Sequence, residues 1–152
     1  HLEGETVKVM VDGRAHPDLV VTSGQIVLEN SRTGSVIQVG LPYEWQLVTN
    51  KYEVKLPNGD TAQGKKKRFM SFVMRLLNTL GLKYGSPNEE LIEHDFEQGQ
   101  NYDTTQTLFS GDTDDIVWPG RTDSDGQMKF SSDSVFPVCI LGIIPKVKVQ
   151  PR

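Results

Sequence analysis

The chain has 152 residues and is 36% hydrophobic, with 16 Lys and Arg against 20 Asp and Glu and a formal net charge of -4. That length suits one domain able to bury a core unaided, and a single cysteine excludes a disulfide framework. Net acidity argues against general nucleic-acid affinity, which rests on a basic surface. The longest apolar run, Val138 to Ile144 with Gly142 inside it, falls far short of the roughly 20 residues that span a bilayer.

The first predicted strand covers Glu5 to Val11, where Val7, Val9 and Val11 alternate with Thr6, Lys8 and Met10 before the Asp12-Gly13 turn. Asp18 to Val21 and Gln25 to Leu28 are β-prone pieces around Ser23-Gly24, and Ser35 to Val39 follows the turn at Thr33-Gly34. Residues 5–39 therefore read as small hairpins that could form a lesser lobe. Beyond Pro42, which is excluded from a central strand, Tyr43, Trp45, Leu47 and Thr49 alternate with polar neighbours. Tyr52 to Leu56 runs into Pro57-Asn58-Gly59-Asp60, a strong turn signal.

Residues 65–85 then pass from charge into apolar sequence. Phe69, Phe72, Val73, Leu76, Leu77 and Leu80 fit one face of a helix, with Gly81 at the position after its end. A strand instead places Met70, Phe72, Met74 and Leu76 on one face and Phe69, Ser71, Val73, Arg75 and Leu77 on the other. Context favours the strand over Phe69 to Leu77, because turn signals recur about every ten residues from Asp12 to Gly126, as in all-β sandwiches and barrels. Met70, Phe72, Met74 and Leu76 should then point inward, Arg75 should face solvent or a neighbour, and the strand should leave through Thr79-Leu80-Gly81-Leu82.

Ser86 to Tyr102 is polar and aperiodic, an irregular loop anchored by Leu91, Ile92 and Phe96. Gln106 to Phe109 and Asp115 to Trp118 are short strand candidates separated by Ser110-Gly111-Asp112, and Gln127 to Ser131 follows Asp125-Gly126. Val135 to Ile144 reads as the most buried strand, closed by Pro145, with Cys139 a buried inert thiol and Lys146 to Val149 a final edge piece. The predicted fold is an all-β, antiparallel sandwich or barrel-like domain with long loops, one domain over residues 1–152. No signal peptide is predicted. A start at His1, close to a strand pattern, predicts a fragment or processed piece of a longer protein.

Chemistry-bearing patterns are sparse. His1, His16 and His94 stand far apart, and only His94, between Glu93 and Asp95, could be drawn as a base with its orienter. Asp112, Asp114, Asp115, Asp123 and Asp125 could offer oxygens to calcium, but the EF-hand spacing is absent. Lys65, Lys66, Lys67 and Arg68 form the one basic run, read as a solvated approach to the strand in preference to a nucleic-acid patch. Trp45 and Trp118 could stack a sugar, but their alternating strand patterns favour core or subunit packing. No catalytic, metal or cofactor residue is assigned, and the chain is not expected to be an enzyme.

Several phrases, in one consistent order, carry a resemblance. They are Leu2-Glu3-Gly4-Glu5-Thr6-Val7 leading to Val11-Asp12-Gly13, Val39-Gly40-Leu41-Pro42-Tyr43, Gln63-Gly64-Lys65 with Lys67-Arg68, and Arg75-Leu76. Thr79-Leu80-Gly81-Leu82-Lys83-Tyr84-Gly85, Leu108-Phe109-Ser110-Gly111-Asp112, Trp118-Pro119-Gly120, Asp125-Gly126 and Pro137 to Pro145 continue them. Together they resemble the C-terminal region of phage tail nozzle proteins, the tail tubular protein B type. The resemblance implies a structural subunit of a short tail, located in the virion, self-associating in rings that are typically hexameric. Such rings contact other tail proteins and pass double-stranded DNA without reading its sequence. It also implies a strand at residues 69–77, brings no catalytic or ligand residues, and leaves the family's N-terminal propeller-like region without a counterpart here. The alternative is a carbohydrate- or receptor-binding β-sandwich module of a tail, using Trp45, Trp118 or Tyr102.

Overall fold

The computed structural model describes residues 2–55, 59, 61–96 and 105–149. Among them the chain is all-β, with eleven antiparallel strands and one 3-10 turn at Glu29–Ser31. The strands are β1 Thr6–Val11, β2 Arg14–Val20, β3 Ile37–Gly40, β4 Trp45–Val48, β5 Lys67–Thr79 and β6 Lys83–Gly85, then β7 Ile92–Glu93, β8 Phe109–Asp112, β9 Ile116–Val117, β10 Lys129–Ser132 and β11 Ile140–Val149. They form sheets in the orders β2-β1-β3, β4-β10-β6-β7 and β11-β5-β8, with β9 also on β5. No sheet closes into a barrel among these residues, and the arrangement is sandwich-like. No helix here is long and apolar enough to cross a membrane.

The first sheet is a hairpin with an added strand. Asp12 and Gly13 both have positive φ, 48° and 78°, the geometry of a type I′ turn, whose twist matches that of the strands it joins. The Asp12 carboxylate accepts the backbone N–H groups of Ser35 and Val36, at 3.1 and 2.8 Å, which seats β3 beside β1. Val7, Val9, Val11 and Val21 make a small core of their own, packed by Leu2, Leu19, Ile26 and Leu28. The strand after Asp12-Gly13 begins at Arg14 and absorbs Asp18 to Val20, because hairpin pairing carries the polar start of the segment along with its β-prone end.

The other two sheets face each other across the main core. From β5 come Phe69, Phe72, Met74 and Leu76, and from the facing side come Leu82, Tyr84, Met128 and Phe130, with Trp118 between. Phe72 is fully buried, with Tyr84, Trp118 and Phe130 packed edge-on to it at ring-centroid distances of 5.1, 5.7 and 6.1 Å. Trp118-Pro119-Gly120 folds back tightly enough that a Cβ on Gly120 would collide with the Trp118 indole nitrogen.

β5 is a strand, longer than predicted, and it corrects one expectation about facing. Met70 is 49% exposed, while Phe72, Met74 and Leu76 are buried and Arg75 is exposed. On β11, Val147 pairs with Phe69 and Lys146 with Ser71, so Met70 is an unmatched extra residue on β5. Such a bulge slips the alternation by one position. Phe69 and Phe72 both face inward as a result, three apart. That spacing also produces the helical pattern in the sequence.

β11 departs further from expectation. It starts at Ile140, passes through Pro145 and ends at Val149, and it lies at the edge of its sheet with Leu141 and Ile144 more than half exposed. A continuous apolar run does not distinguish a strand covered on both faces from one covered on a single face. Proline is tolerated at an edge because no second neighbour needs its missing N–H. Cys139, just before β11, is exposed rather than buried for the same reason.

Ser110-Gly111-Asp112, expected to separate neighbouring strands, lies within β8. Of the run expected at Tyr52 to Leu56, Tyr52 to Lys55 forms no strand and has one isolated bridge, from Lys55 to Thr61, while Leu56 lies outside the described residues. Of the predicted turn at Pro57-Asn58-Gly59-Asp60 only Gly59, at φ 84°, belongs to the described residues, and Tyr102 also lies outside them.

Candidate functional site

Several titratable groups gather around His94. It follows β7 and is tethered by its N–H to the Leu82 carbonyl at 2.8 Å. Its ring packs edge-on to Phe96, with centroids 4.4 Å apart, and more distantly to Tyr84. An open cavity of about 580 Å³ is lined there by Glu93, His94 and Asp95 on one side and by Thr113, Asp114, Asp115 and Ile116 on another. Two clusters separated by some twenty residues of sequence thus share one concavity, because β9 and the segment after β7 both close over the main core.

Burial holds the His94 imidazole below its ordinary value of 6.5, against an opposing pull from the Asp95 carboxylate. At neutral pH the ring is therefore an uncharged, weak base among carboxylates. No serine or cysteine is among the described residues lining this cavity, though Ser134 lines an adjoining one with His94, and the Thr113 hydroxyl accepts the Met74 N–H at 3.0 Å. The arrangement can accept a proton at His94, and its acidic rim repels phosphates.

This environment gives a two-stage acid response. A histidine with a lowered folded pKa contributes stability that is present above pH 6.5 and is lost as pH falls below it, because the unfolded chain takes up the proton first. Asp112, Asp115 and Asp133 are lowered from their ordinary 3.8, each chiefly by a hydrogen bond from its cationic partner, Arg75, Lys146 and Lys83 respectively. Their contributions are present above 3.8 and disappear as pH falls through the lowered values. Urea melts against pH should show a first decline just below 6.5 and a second below 3.8. His94→Gln should remove the first and leave the second.

The aspartates considered for calcium are drawn to separate partners. Asp112 receives two bonds from the Arg75 guanidinium at 2.7 and 2.9 Å, Asp115 pairs with Lys146 at 2.6 Å, and Asp125 pairs with Lys51 at 2.7 Å. Asp123 bonds through its backbone to Lys67. Among the described residues no group of three His, Cys, Asp or Glu side chains converges on a metal-sized site.

The basic run is not uniformly solvated. Lys67 is 3% exposed, because it takes the first inward position of β5. Its stem lies along Gly126 and its ammonium donates to the Ser124 carbonyl at 3.2 Å, so an amphipathic side chain serves as wall material. Lys66 and Arg68 remain exposed and Lys65 is half-buried. Trp118 is core, 6% exposed and edge-on to Phe69 and Phe72, so it presents no stacking surface to a sugar. Trp45 is half-buried against the same core.

The sequence separated a feature that the register assembles. Arg68 on β5 stands directly opposite Lys148 on β11, and both are exposed. Only the pairing of distant strands reveals this, although the period-two basic pattern of Lys146 and Lys148 is a visible cue. No family model matches this chain, and no curated protein matches it.

Proposed function

We propose that this chain is a structural, non-enzymatic component of a short phage tail, a nozzle or tail-tube subunit that helps form the conduit holding and releasing the viral genome. The observation that carries the reading is the ordered series of phrases resembling tail nozzle proteins, together with the places those phrases occupy. Asp12-Gly13 and Gly81 take positive φ, Gly120 lies against the Trp118 indole, Gly126 lies against Lys67, and Arg75 clamps Asp112. The shared wording thus falls on residues that turn and lock the backbone, as expected where a scaffold is what matters. A wall with net charge -4 suits such a conduit, since attraction to phosphates would slow passing DNA.

In this reading the subunit works in the virion tail as a ring, typically hexameric, in contact with other tail proteins. The test is electron microscopy and mass measurement on the intact protein. Rings with a central lumen are expected, and a strictly monomeric full-length protein would overturn the reading. Retention on a DNA column at physiological salt would contradict the non-adhesive wall.

A further inference from the structure

The outer face of the β11-β5-β9 sheet carries basic side chains that have no ion-pair partner among the described residues. Arg75 and Lys146 on this face are paired with Asp112 and Asp115. Arg68 and Lys148 stand opposite each other in register, exposed, with Lys66 close by in sequence. Among the described residues no ion pair involves any of these three. Like charges directly opposite on neighbouring strands destabilise a sheet, so the pair gains from any anionic cover. Exposed apolar side chains accompany it: Ile144 and Leu141 on β11, Val117 on β9, and Met70, which the bulge leaves outside the core.

The chain carries a complementary acidic patch at the edge of another sheet. Glu89 and Glu90, leading into β7, are exposed and without an ion pair among the described residues, and Ile92 beside them is 45% exposed. β7 is the outermost strand of the other sheet, and no ion pair joins the two patches within one copy.

We infer that the Arg68–Lys148 face of one copy binds the Glu89–Ile92 segment of a second copy. Two different, oppositely charged patches make a heterologous, head-to-tail contact, the kind that propagates and closes into a ring when its rotation allows. The contact is made by face side chains and not by strand addition, because Pro145, the extra residue at Leu141 and the two lysines blunt the free edge of β11. Its biological setting rests on the proposed ring-forming role, whereas the contact itself stands on the charge pattern.

Sedimentation of the 152-residue chain tests it, with Arg68→Glu/Lys148→Glu and Glu89→Lys/Glu90→Lys as paired reversals. The parent should self-associate in about 0.1 M salt and dissociate in about 1 M, where screening shortens to a few ångströms. Each double variant should associate at least about tenfold more weakly, and mixing the two should restore association between them. That rescue separates a lost contact from a misfolded variant. A parent that stays monomeric in low salt, or association unchanged in both variants, would overturn the contact. A duplex DNA affinity abolished by the Arg68/Lys148 reversal would overturn it in favour of a phosphate-binding face. Rings of the full-length protein that survive both reversals would sink this contact and leave the tail-subunit reading standing, while absence of rings from the unmodified full-length protein would sink that reading.

Discussion

Phe72→Ala is expected to lower stability by about 3–5 kcal/mol, the cost of removing a fully buried aromatic ring and leaving a cavity that its surroundings fill only incompletely. Phe72 is the hub of the main core, since Tyr84, Trp118 and Phe130 all pack against its ring from other elements. Three edge-on contacts disappear with one side chain. Phe72→Asp should abolish folding, because it adds an unpaired buried charge to the same cavity. Met70→Lys, two residues away and outside the core, should change stability by no more than about 0.5 kcal/mol. Urea denaturation followed by tryptophan fluorescence measures all three. Equal sensitivity at the two positions would refute the slip in register at Met70.

Gly81→Ala should cost roughly 2–5 kcal/mol, which is large for one added methyl group. Two independent penalties coincide there. Gly81 has φ 67°, in the left-handed region where a side chain is strained. Its Cβ would also stand 2.5 Å from both Cβ and Oγ of Ser134, with Phe136 close behind, so the link from β5 to β6 would have to move. That link is fastened at both ends. The Ser132 hydroxyl donates to the Gly81 carbonyl, and the buried Thr79 hydroxyl accepts the Cys139 N–H at 2.9 Å. A lower urea midpoint with an unchanged denaturant slope is the expected signature, and a variant as stable as the parent would remove Gly81 from the determinants of the fold.

Turns were the most legible features of the sequence. Asp12-Gly13, Ser23-Gly24 and Gly81 announced themselves because their backbone demands are local, and each has positive φ. β1 was legible because its three valines alternate without a defect. β5 was ambiguous for a physical reason, since one extra residue at Met70 converts a period of two into a spacing of three between Phe69 and Phe72. The exposure of β11 and Cys139 is not legible in the sequence because apolar content measures what a strand could bury, while sheet order decides what covers it. The shared cavity of His94, Asp114 and Asp115 and the juxtaposition of Arg68 with Lys148 arise from long-range register, so local patterns show the basic residues but not their meeting.

The pairing of β5 with β11 also sets the order of events as the chain is made. β5 is complete at Thr79, yet the partner of Leu76 is Ile140 and that of Lys67 is Val149, the last described residue. At translation rates of about 5–20 residues per second, the edge of β5 that β11 will occupy waits on the order of several seconds for its neighbour. Contacts between such distant residues also fold slowly. The outer edge of β5 is therefore among the last parts of the fold to be secured, and until β11 is made its unpaired N–H and C=O groups are open to pairing with another strand.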